Sequence, residues 1–223
     1  DNQTNITNII NQLKAGGYDF GIQTGDAIDD VTGYGEVSSI TNLLGIQTFG
    51  DTDVLHVLGN HEYYGDANGE LAAAIYNLPE AKVGSYYSVT CGEVYIAVIN
   101  YTSTNAELIE ALEWLVEDAK ASDATWKILA MHQPPYYTNA TGGNAPVYQY
   151  VPDAAEAAGI NVVFSGHDHS LARTNRLKDN EVDEKNGIYY YICGSSGEKS
   201  YSITSQSVFN YDKTFALATI DFN

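Results

Sequence analysis

Two histidines separated by one residue follow an apolar run late in the chain, and this stretch limits the possible folds more than any other. Residues 160–163 predict a buried strand, and the sequence Phe-Ser-Gly-His-Asp-His at 164–169 comes directly after it. Because Gly166 permits a turn there, His167 and His169 can both reach one pocket. A lone His-x-His pair more often lies in a surface loop, so the prediction of a pocket depends on similar residues elsewhere.

Polar residues also follow three other predicted strands. Residues 20–24 lead into Gly-Asp, residues 54–58 into Gly-Asn-His-Glu, and residues 127–131 into a histidine. Four strand ends would therefore each supply a nitrogen or oxygen ligand, which is how a metal site is built in a layered α/β protein. The candidate residues at these strand ends are Asp26, Asn60, His61, Glu62, His132, His167 and His169.

The charge of the chain limits the partners that it can bind. It has 29 acidic and 10 basic residues among 223, a formal net charge of −19. Such a surface repels nucleic acid and anionic membranes. It does not exclude a small or medium phosphorylated substrate, because bound metal ions reverse the field inside one pocket. No apolar stretch reaches the length of a membrane span, and the sequence carries no prediction of oligomeric state.

The two cysteines, Cys91 and Cys193, do not form a Cys-x-x-Cys pair, which argues against a thiolate zinc site. We interpret both as small buried hydrophobic residues, and a disulfide between them stays open. Asn-x-Thr sequons favour an extracellular or cell-surface location, although an Asn- and Thr-rich chain also produces them by chance. They begin at Asn2, Asn5, Asn100 and Asn139.

The hydrophobic periodicity predicts alternating helices and strands. Helices are predicted over 4–15, 36–44, 69–77, 104–121 and 147–158, and strands over 18–24, 54–58, 86–90, 94–99, 126–131, 160–163, 188–192 and 215–220. Residues 171–187 are charged and predict a solvated loop, and residues 136–143 predict a flap. The elements follow the order of two βα units, a hairpin, further βα units and late antiparallel strands. This order predicts an α/β fold, a four-layer αββα sandwich of two mixed sheets flanked by helices.

Taken in order, Gly25-Asp26, Gly59-Asn60-His61-Glu62, His132 and Gly166-His167-Asp168-His169 resemble the motifs of the calcineurin-like metallophosphoesterase family. The resemblance spans about 145 residues, most of the chain. It implies a metal-dependent hydrolase of phosphomonoesters or phosphodiesters that uses a metal-bound hydroxide as the nucleophile. It also implies a binuclear centre of Mn, Fe or Zn ions, in keeping with imidazole, carboxylate and amide ligands.

The resemblance further assigns roles to individual residues. One metal would be held by Asp26, Asn60, His132 and His167, and the other by Asp26, which bridges both ions, and His169. His61 would protonate the leaving oxygen or contact the phosphate, and Glu62 would orient His61.

His56, inside a predicted strand, is expected to be a packed core residue, and Asp168 a structural one that points away from the metals. The pocket would be lined by Tyr63, Tyr64, Tyr136 and Tyr137.

One motif of the family is missing from the chain. The family has an Asp-x-His sequence upstream of Gly-Asp, and no Asp-x-His occurs in these residues. We therefore expect a single metallophosphoesterase-like domain over residues 1–223 that is truncated at its amino end and lacks its first strand. The second metal would keep only Asp26 and His169, so this chain would hold one metal. The alternative to an active enzyme is a catalytically impaired module with a binding or structural role. A nuclease is disfavoured by the net charge.

Overall fold

The computed structural model describes residues 2–30, 48–49, 52–76, 78, 83–138, 145–195, 199, 201, 209–212 and 220–222. Within these ranges the helices are α1 (Asn2–Gly16), α2 (Glu70–Tyr76), α3 (Asn105–Ala121) and α4 (Ala145–Ala158). The first strands are β1 (Phe20–Gln23), β2 (Thr48–Phe49), β3 (Thr52–His56), β4 (Tyr86–Cys91), β5 (Val94–Ile99) and β6 (Trp126–Met131). The later strands are β7 (Val162–Ser165), β8 (Leu171–Thr174), β9 (Leu177–Lys178), β10 (Glu181–Val182), β11 (Tyr189–Cys193) and β12 (Phe209–Asp212).

The strands form two mixed sheets and a short hairpin. The large sheet has the order β12-β8-β11-β7-β6-β5-β4, in which β5, β6, β7 and β11 run parallel and the outer strands antiparallel. The small sheet has the order β1-β3-β2, with β1 and β3 parallel. The pair β9 and β10 stands apart. The predicted mixed character of both sheets is confirmed.

The two faces of β5 show how the layers form. All six of its residues are apolar and buried, as expected for a strand covered on both faces. Val94, Ile96 and Val98 pack between the two sheets, against Phe20 and Ile22 of the small sheet among others. The alternate residues of β5 pack against α3 and α4 on the outer face. Since α1 contacts β2 of the small sheet, the layers follow the predicted αββα order.

Helix α3 begins where the sequence predicts. Thr104 accepts a hydrogen bond from the Glu107 backbone N–H, and the Glu107 side chain accepts one from the Thr104 N–H, which completes a capping box. Leu108, Leu112 and Leu115 are buried against the large sheet. The capping box and the apolar face predicted from the sequence are therefore both present in α3.

Several predictions need correction. Residues 171–187 are not a solvated loop, because β8 is a strand of the large sheet with Ala172 and Thr174 buried, and Leu177 is buried as well. This strand has only four residues, Arg173 is charged and Thr174 is polar, so a hydropathy pattern does not reveal it. The predicted helix over 36–44 and the predicted strand over 215–220 lie outside the described residues, as does most of the predicted flap.

The cysteine and sequon predictions also change. Both cysteines are free thiols; Cys91 is exposed at the end of β4, so its assignment as a buried residue is wrong. Burial raises the pKa of the Cys193 thiol to about 12. Asn100 is buried, donating to Ser85 and accepting from the Leu58 N–H, so its sequon does not support an extracellular location. No helix in the described part of the chain has the length and apolarity to cross a membrane.

Candidate metal centre

The predicted ligands follow strands whose carboxyl ends meet. In the small sheet β1 and β3 are parallel, and the Val57 N–H donates to the Gln23 carbonyl at 3.0 Å just beyond them. In the large sheet β6 and β7 are parallel, and the Gly166 N–H donates to the His132 carbonyl at 2.9 Å. These four strand ends supply all of the motif residues predicted from the sequence.

Glycines let the motif loops approach one another closely. A Cβ on Gly59 would lie 2.2 Å from the Asp26 Oδ1 atom, and one on Gly25 would lie 2.4 Å from His132 Nδ1. A Cβ on Gly166 would lie 2.7 Å from the Thr24 carbonyl. No side chain fits at such distances, which explains the glycines in three of the four motifs.

The turn after β7 is made by the histidines themselves. His167 and His169 have positive φ angles of 65° and 42°, whereas Gly166 does not. Gly166, which we expected to permit a turn, does not itself adopt a positive φ, and a glycine there allows the close approach to Thr24. Positive φ at a residue other than glycine is uncommon and is often found at functional sites.

His132 directs the unprotonated Nε2 atom of its neutral ring towards the site. Its ring is buried, and Nδ1 lies 2.8 Å from the Thr24 carbonyl oxygen. Because a carbonyl only accepts, Nδ1 carries the hydrogen, and Nε2 presents a lone pair in the neutral ring. Nε2 lies 3.0 Å from Asp26 Oδ2 and 3.2 Å from His167 Nδ1. The backbone of Thr24 thus aims His132 at two other ligands.

The set of Asp26, His132 and His167 fits a cation. One ligand atom of each lies within 4.8 Å of the others. A carboxylate oxygen and two neutral imidazole nitrogens repel one another unless a proton or a metal ion lies between them. Burial opposes a charge on His132, but the hydrogen bond and charge of Asp26 raise the pKa of His132 overall. Burial lowers the pKa of His167 to about 4, so this ring is neutral and free to donate its lone pair.

Asn60 has a buried oxygen available for the same cation. Its Nδ2 donates to the Tyr64 hydroxyl at 2.9 Å, which fixes the orientation of the amide. Its Oδ1 is buried and has no hydrogen-bond partner among the described residues. A buried carbonyl oxygen without a partner is rare in proteins and suits a metal ligand. Asn60 therefore fits the predicted role, with imidazole, carboxylate and amide ligands that suit Mn, Fe or Zn.

His169 lies apart from this group. It is not among the three residues whose ligand atoms lie within 4.8 Å of one another in the described part of the chain. Its Nδ1 is buried without a partner among the described residues, and its ring stacks on Tyr201 with centroids 4.7 Å apart. Burial lowers its pKa. The ligand atoms of Asp26, His132 and His167, three of the four ligands predicted for the first metal, thus lie close together. His169 lies outside this group.

His61 faces the metal ligands from the more exposed side. Its Nδ1 lies 2.9 Å from the Asp29 carbonyl oxygen, so Nδ1 carries a hydrogen, and its Nε2 lies 3.9 Å from Asp26 Oδ2. The Asp29 carbonyl and the nearby Tyr64 ring position this imidazole. Sequence reasoning did not find the contribution of Asp29, because it depends on how two loops meet in space.

Glu62 does not orient His61 as predicted. Its carboxylate accepts hydrogen bonds from the backbone N–H groups of Asp26, Ala27 and Gly59, at 2.9, 2.7 and 2.7 Å. Burial raises the pKa of Glu62, and the backbone donors oppose that shift. Glu62 thus joins the loop after β1 to the loop after β3, and both of these loops carry candidate metal ligands.

The other predicted residues divide between core and site. His56 is buried with its ring 4.6 Å from that of Tyr76, as predicted for a core residue. Asp168 is fully buried and accepts a hydrogen bond from Thr138, which agrees with a structural role. Tyr64 is exposed beside the site. Tyr63 and Tyr136 are buried in hydrophobic clusters, so the prediction that they line the pocket is wrong.

Two packed mixed sheets form an α/β sandwich, and a group of candidate metal ligands, Asp26, His132 and His167, lies at their strand ends. The family model described as calcineurin-like phosphoesterase matches residues 1–171. The chain belongs to this family, and its fold is that of metallophosphoesterases.

Curated and solved relatives agree with the family. Purple acid phosphatase 15 of Arabidopsis thaliana is 27% identical over 155 residues, which cover 63% of this chain and 29% of that protein. A purple acid phosphatase from yellow lupin (Lupinus luteus) seeds has a TM-score of 0.79 at 16% identity, covering 96% of this chain and 43% of that one. A dimetal phosphatase from Danio rerio has a TM-score of 0.63 at 15% identity, covering 87% and 78%. This chain therefore spans less than a third of the Arabidopsis relative and less than half of the lupin protein.

Proposed function

We propose that this chain hydrolyses phosphate esters of small or medium size, either monoesters or diesters, with the help of transition-metal ions. The observation that carries the proposal is the convergence of Asp26 Oδ2, His132 Nε2 and His167 Nδ1 within 4.8 Å. Three lone-pair atoms at that separation, with a partnerless Asn60 oxygen on a neighbouring loop, are suited to a cation such as Mn, Fe or Zn.

The metal ligands would divide as the family resemblance implies. Asp26, Asn60, His132 and His167 would hold one ion, and Asp26 with His169 would contribute to a second. When bound, such ions lower the pKa of water and polarise a phosphoryl oxygen. The residues of the chain aim the ligands: Thr24 orients His132, Tyr64 orients the Asn60 amide, and the Glu62 carboxylate holds the backbone of both loops.

His61 would handle the proton of the leaving group. Its Nδ1 is held by the Asp29 carbonyl, and its Nε2 faces Asp26 at 3.9 Å from the carboxylate. In its protonated form, Nε2–H can donate to the leaving oxygen or to a phosphoryl oxygen. The side chain is 24% exposed, which leaves it open to a substrate that enters from solvent.

Substitution of the ligands tests the proposal. We expect His132→Ala and Asn60→Ala to abolish hydrolysis of p-nitrophenyl phosphate by the metal-loaded protein, because each removes a lone-pair donor from the site. Asn11→Ala, an exposed position on α1, serves as the matched control and should behave as the parent does. Ligand variants as active as the parent would refute the assignment.

A catalytically impaired module is the second candidate, and one observation favours it. The second metal has only Asp26 and His169 in this chain, and His169 lies outside the compact three-residue group. Such a module would bind one metal through His132 and yet fail to hydrolyse phosphate esters. Measuring metal content and turnover on the same sample separates the two candidates.

A further inference from the structure

A positive side chain borders the metal ligands in an otherwise strongly acidic chain. Lys199 is exposed, and its Nζ lies 5.2 Å from the centre of the Tyr201 ring. The Tyr201 ring in turn stacks on His169, with ring centroids 4.7 Å apart and an angle of 24° between planes. Lys199, Tyr201 and His169 thus form a layered group, which we call the Lys199 stack.

The Lys199 stack adjoins the turn after β7, which carries the candidate ligand His167. His169 belongs to the turn that carries His167, and the ammonium group of Lys199 lies within electrostatic range of the Asp26 and Asp29 carboxylates. The ordinary pKa of lysine is about 10.4, so the exposed Lys199 side chain is charged at physiological pH. An ammonium group over an aromatic face is attracted to it, which restrains the long side chain beside the site.

The arginines of the chain are engaged elsewhere. Both guanidinium groups lie over the Tyr189 ring, that of Arg173 at 4.9 Å and that of Arg176 at 5.6 Å from its centre. Arg176 also donates to the Gly187 carbonyl. Because the whole chain carries a net charge of −19, an approaching phosphate meets repulsion over most of the surface. A cation beside the metal ligands offsets this repulsion where the substrate must bind.

We propose that Lys199 contacts the phosphoryl group of the substrate and makes this chain prefer phosphomonoesters to phosphodiesters. The inference rests on the proposed phosphoesterase function and narrows its substrate class. At neutral pH a phosphomonoester carries up to two negative charges and a diester only one, so an ammonium group attracts the monoester more strongly. Tyr201 positions Lys199 for this contact, and the ammonium group, unlike a planar guanidinium, contacts a single phosphoryl oxygen as a compact charge.

Matched substrates and variants test this preference. We would measure kcat/KM for p-nitrophenyl phosphate and bis(p-nitrophenyl) phosphate, and the inhibition constant of inorganic phosphate, on metal-loaded protein. Lys199→Ala should lower kcat/KM for the monoester about tenfold or more and for the diester clearly less, because a charge-assisted hydrogen bond is lost. Lys199→Arg should keep most of the activity. Lys120→Ala is the control, since Lys120 is exposed on α3 behind the large sheet.

The possible outcomes are distinct. A fall in the monoester-to-diester ratio in Lys199→Ala, with a weaker inhibition by phosphate and an unchanged metal content, supports the inference. If the parent is active and Lys199→Ala has the same monoester-to-diester ratio of kcat/KM as the parent, this inference is overturned and the proposed function stands. An equal loss for both substrates together with loss of metal also overturns it. A parent that hydrolyses neither ester overturns the proposed function and this inference together.

Discussion

His56 lies in β3 four residues before Asn60, but its ring faces the hydrophobic cluster around Tyr76 rather than the metal ligands. The alternation of the strand explains the difference, because Leu55 and Val57 point towards the large sheet and His56 points to the opposite face. Burial lowers the pKa of His56 to about 4. The ring is therefore neutral in the folded protein under conditions in which an unfolded chain would protonate it.

This burial predicts a pH-dependent stability. Above pH 6.5, the ordinary pKa of histidine, His56 is neutral in both states and its contribution is fully present. As the pH falls from 6.5 towards 4, only the unfolded state takes up the proton, so the folded protein loses stability. The difference between the two pKa values corresponds to about 3 kcal/mol. We would measure the free energy of unfolding in urea at pH 7 and at pH 4. Between these two pH values it should fall more in the parent than in His56→Leu, and the excess should be about this amount.

The comparison has its own control. Other groups titrate in the same range in both proteins, so only the difference between their pH profiles reports on His56. Parallel profiles of the parent and His56→Leu would show that the ring is accessible to protons in the folded state. His56→Gln, closer to histidine in volume, replaces the leucine variant if the latter does not fold.

At the scale of elements, the loops that follow β1 and β3 of the small sheet are held together at the site by one buried side chain. Glu62 follows β3 and accepts three backbone N–H groups, two of them from the loop after β1. Ligand-bearing loops that are held in this way need little rearrangement when a metal binds. The carboxylate has the number of acceptor sites that three donors require, and a neutral amide does not.

Glu62→Gln should therefore weaken both the fold and the site. The amide presents an N–H group where a backbone N–H needs an acceptor, so at least one buried hydrogen bond is lost. We expect the free energy of unfolding to fall by about 2 kcal/mol and metal affinity to fall about tenfold. Denaturant unfolding and competition with a chelator measure the two quantities. Glu113→Gln, at an exposed position on α3, is the matched control, and equal behaviour of the two variants would contradict the role given to Glu62.

The sequence allowed the strand ends to be predicted but not the contacts between them. Asp26, His132 and His167 follow apolar runs that local patterns reveal, and parallel pairing then brings them together. Two of the three partners of Glu62, Asp26 and Ala27, lie 36 and 35 positions earlier, a contact that no local pattern encodes. Strand β8 was missed for a related reason, because its identity depends on pairing with β11 and β12 rather than on its own hydropathy.

At the scale of the whole molecule, the αββα layering places the ligands at one common edge. The interface between the sheets is apolar, with Val57, Ile96 and Phe164 among its buried residues, while the polar residues collect where the strands end. The large negative charge of the chain favours cations at this edge and disfavours polyanions. Fold, ligand chemistry and charge are therefore all compatible with the metal-dependent hydrolysis of small phosphate esters that we propose.

Metal content per chain is the most direct test of this account. The protein would be incubated with Mn or Zn, desalted and analysed by elemental mass spectrometry, together with His132→Ala, His169→Ala and the core variant His56→Leu. We predict at least one metal ion per parent chain, retained in His56→Leu and His169→Ala but lost in His132→Ala. A parent chain without metal, or a His132→Ala variant that binds as much metal as the parent, would contradict the account.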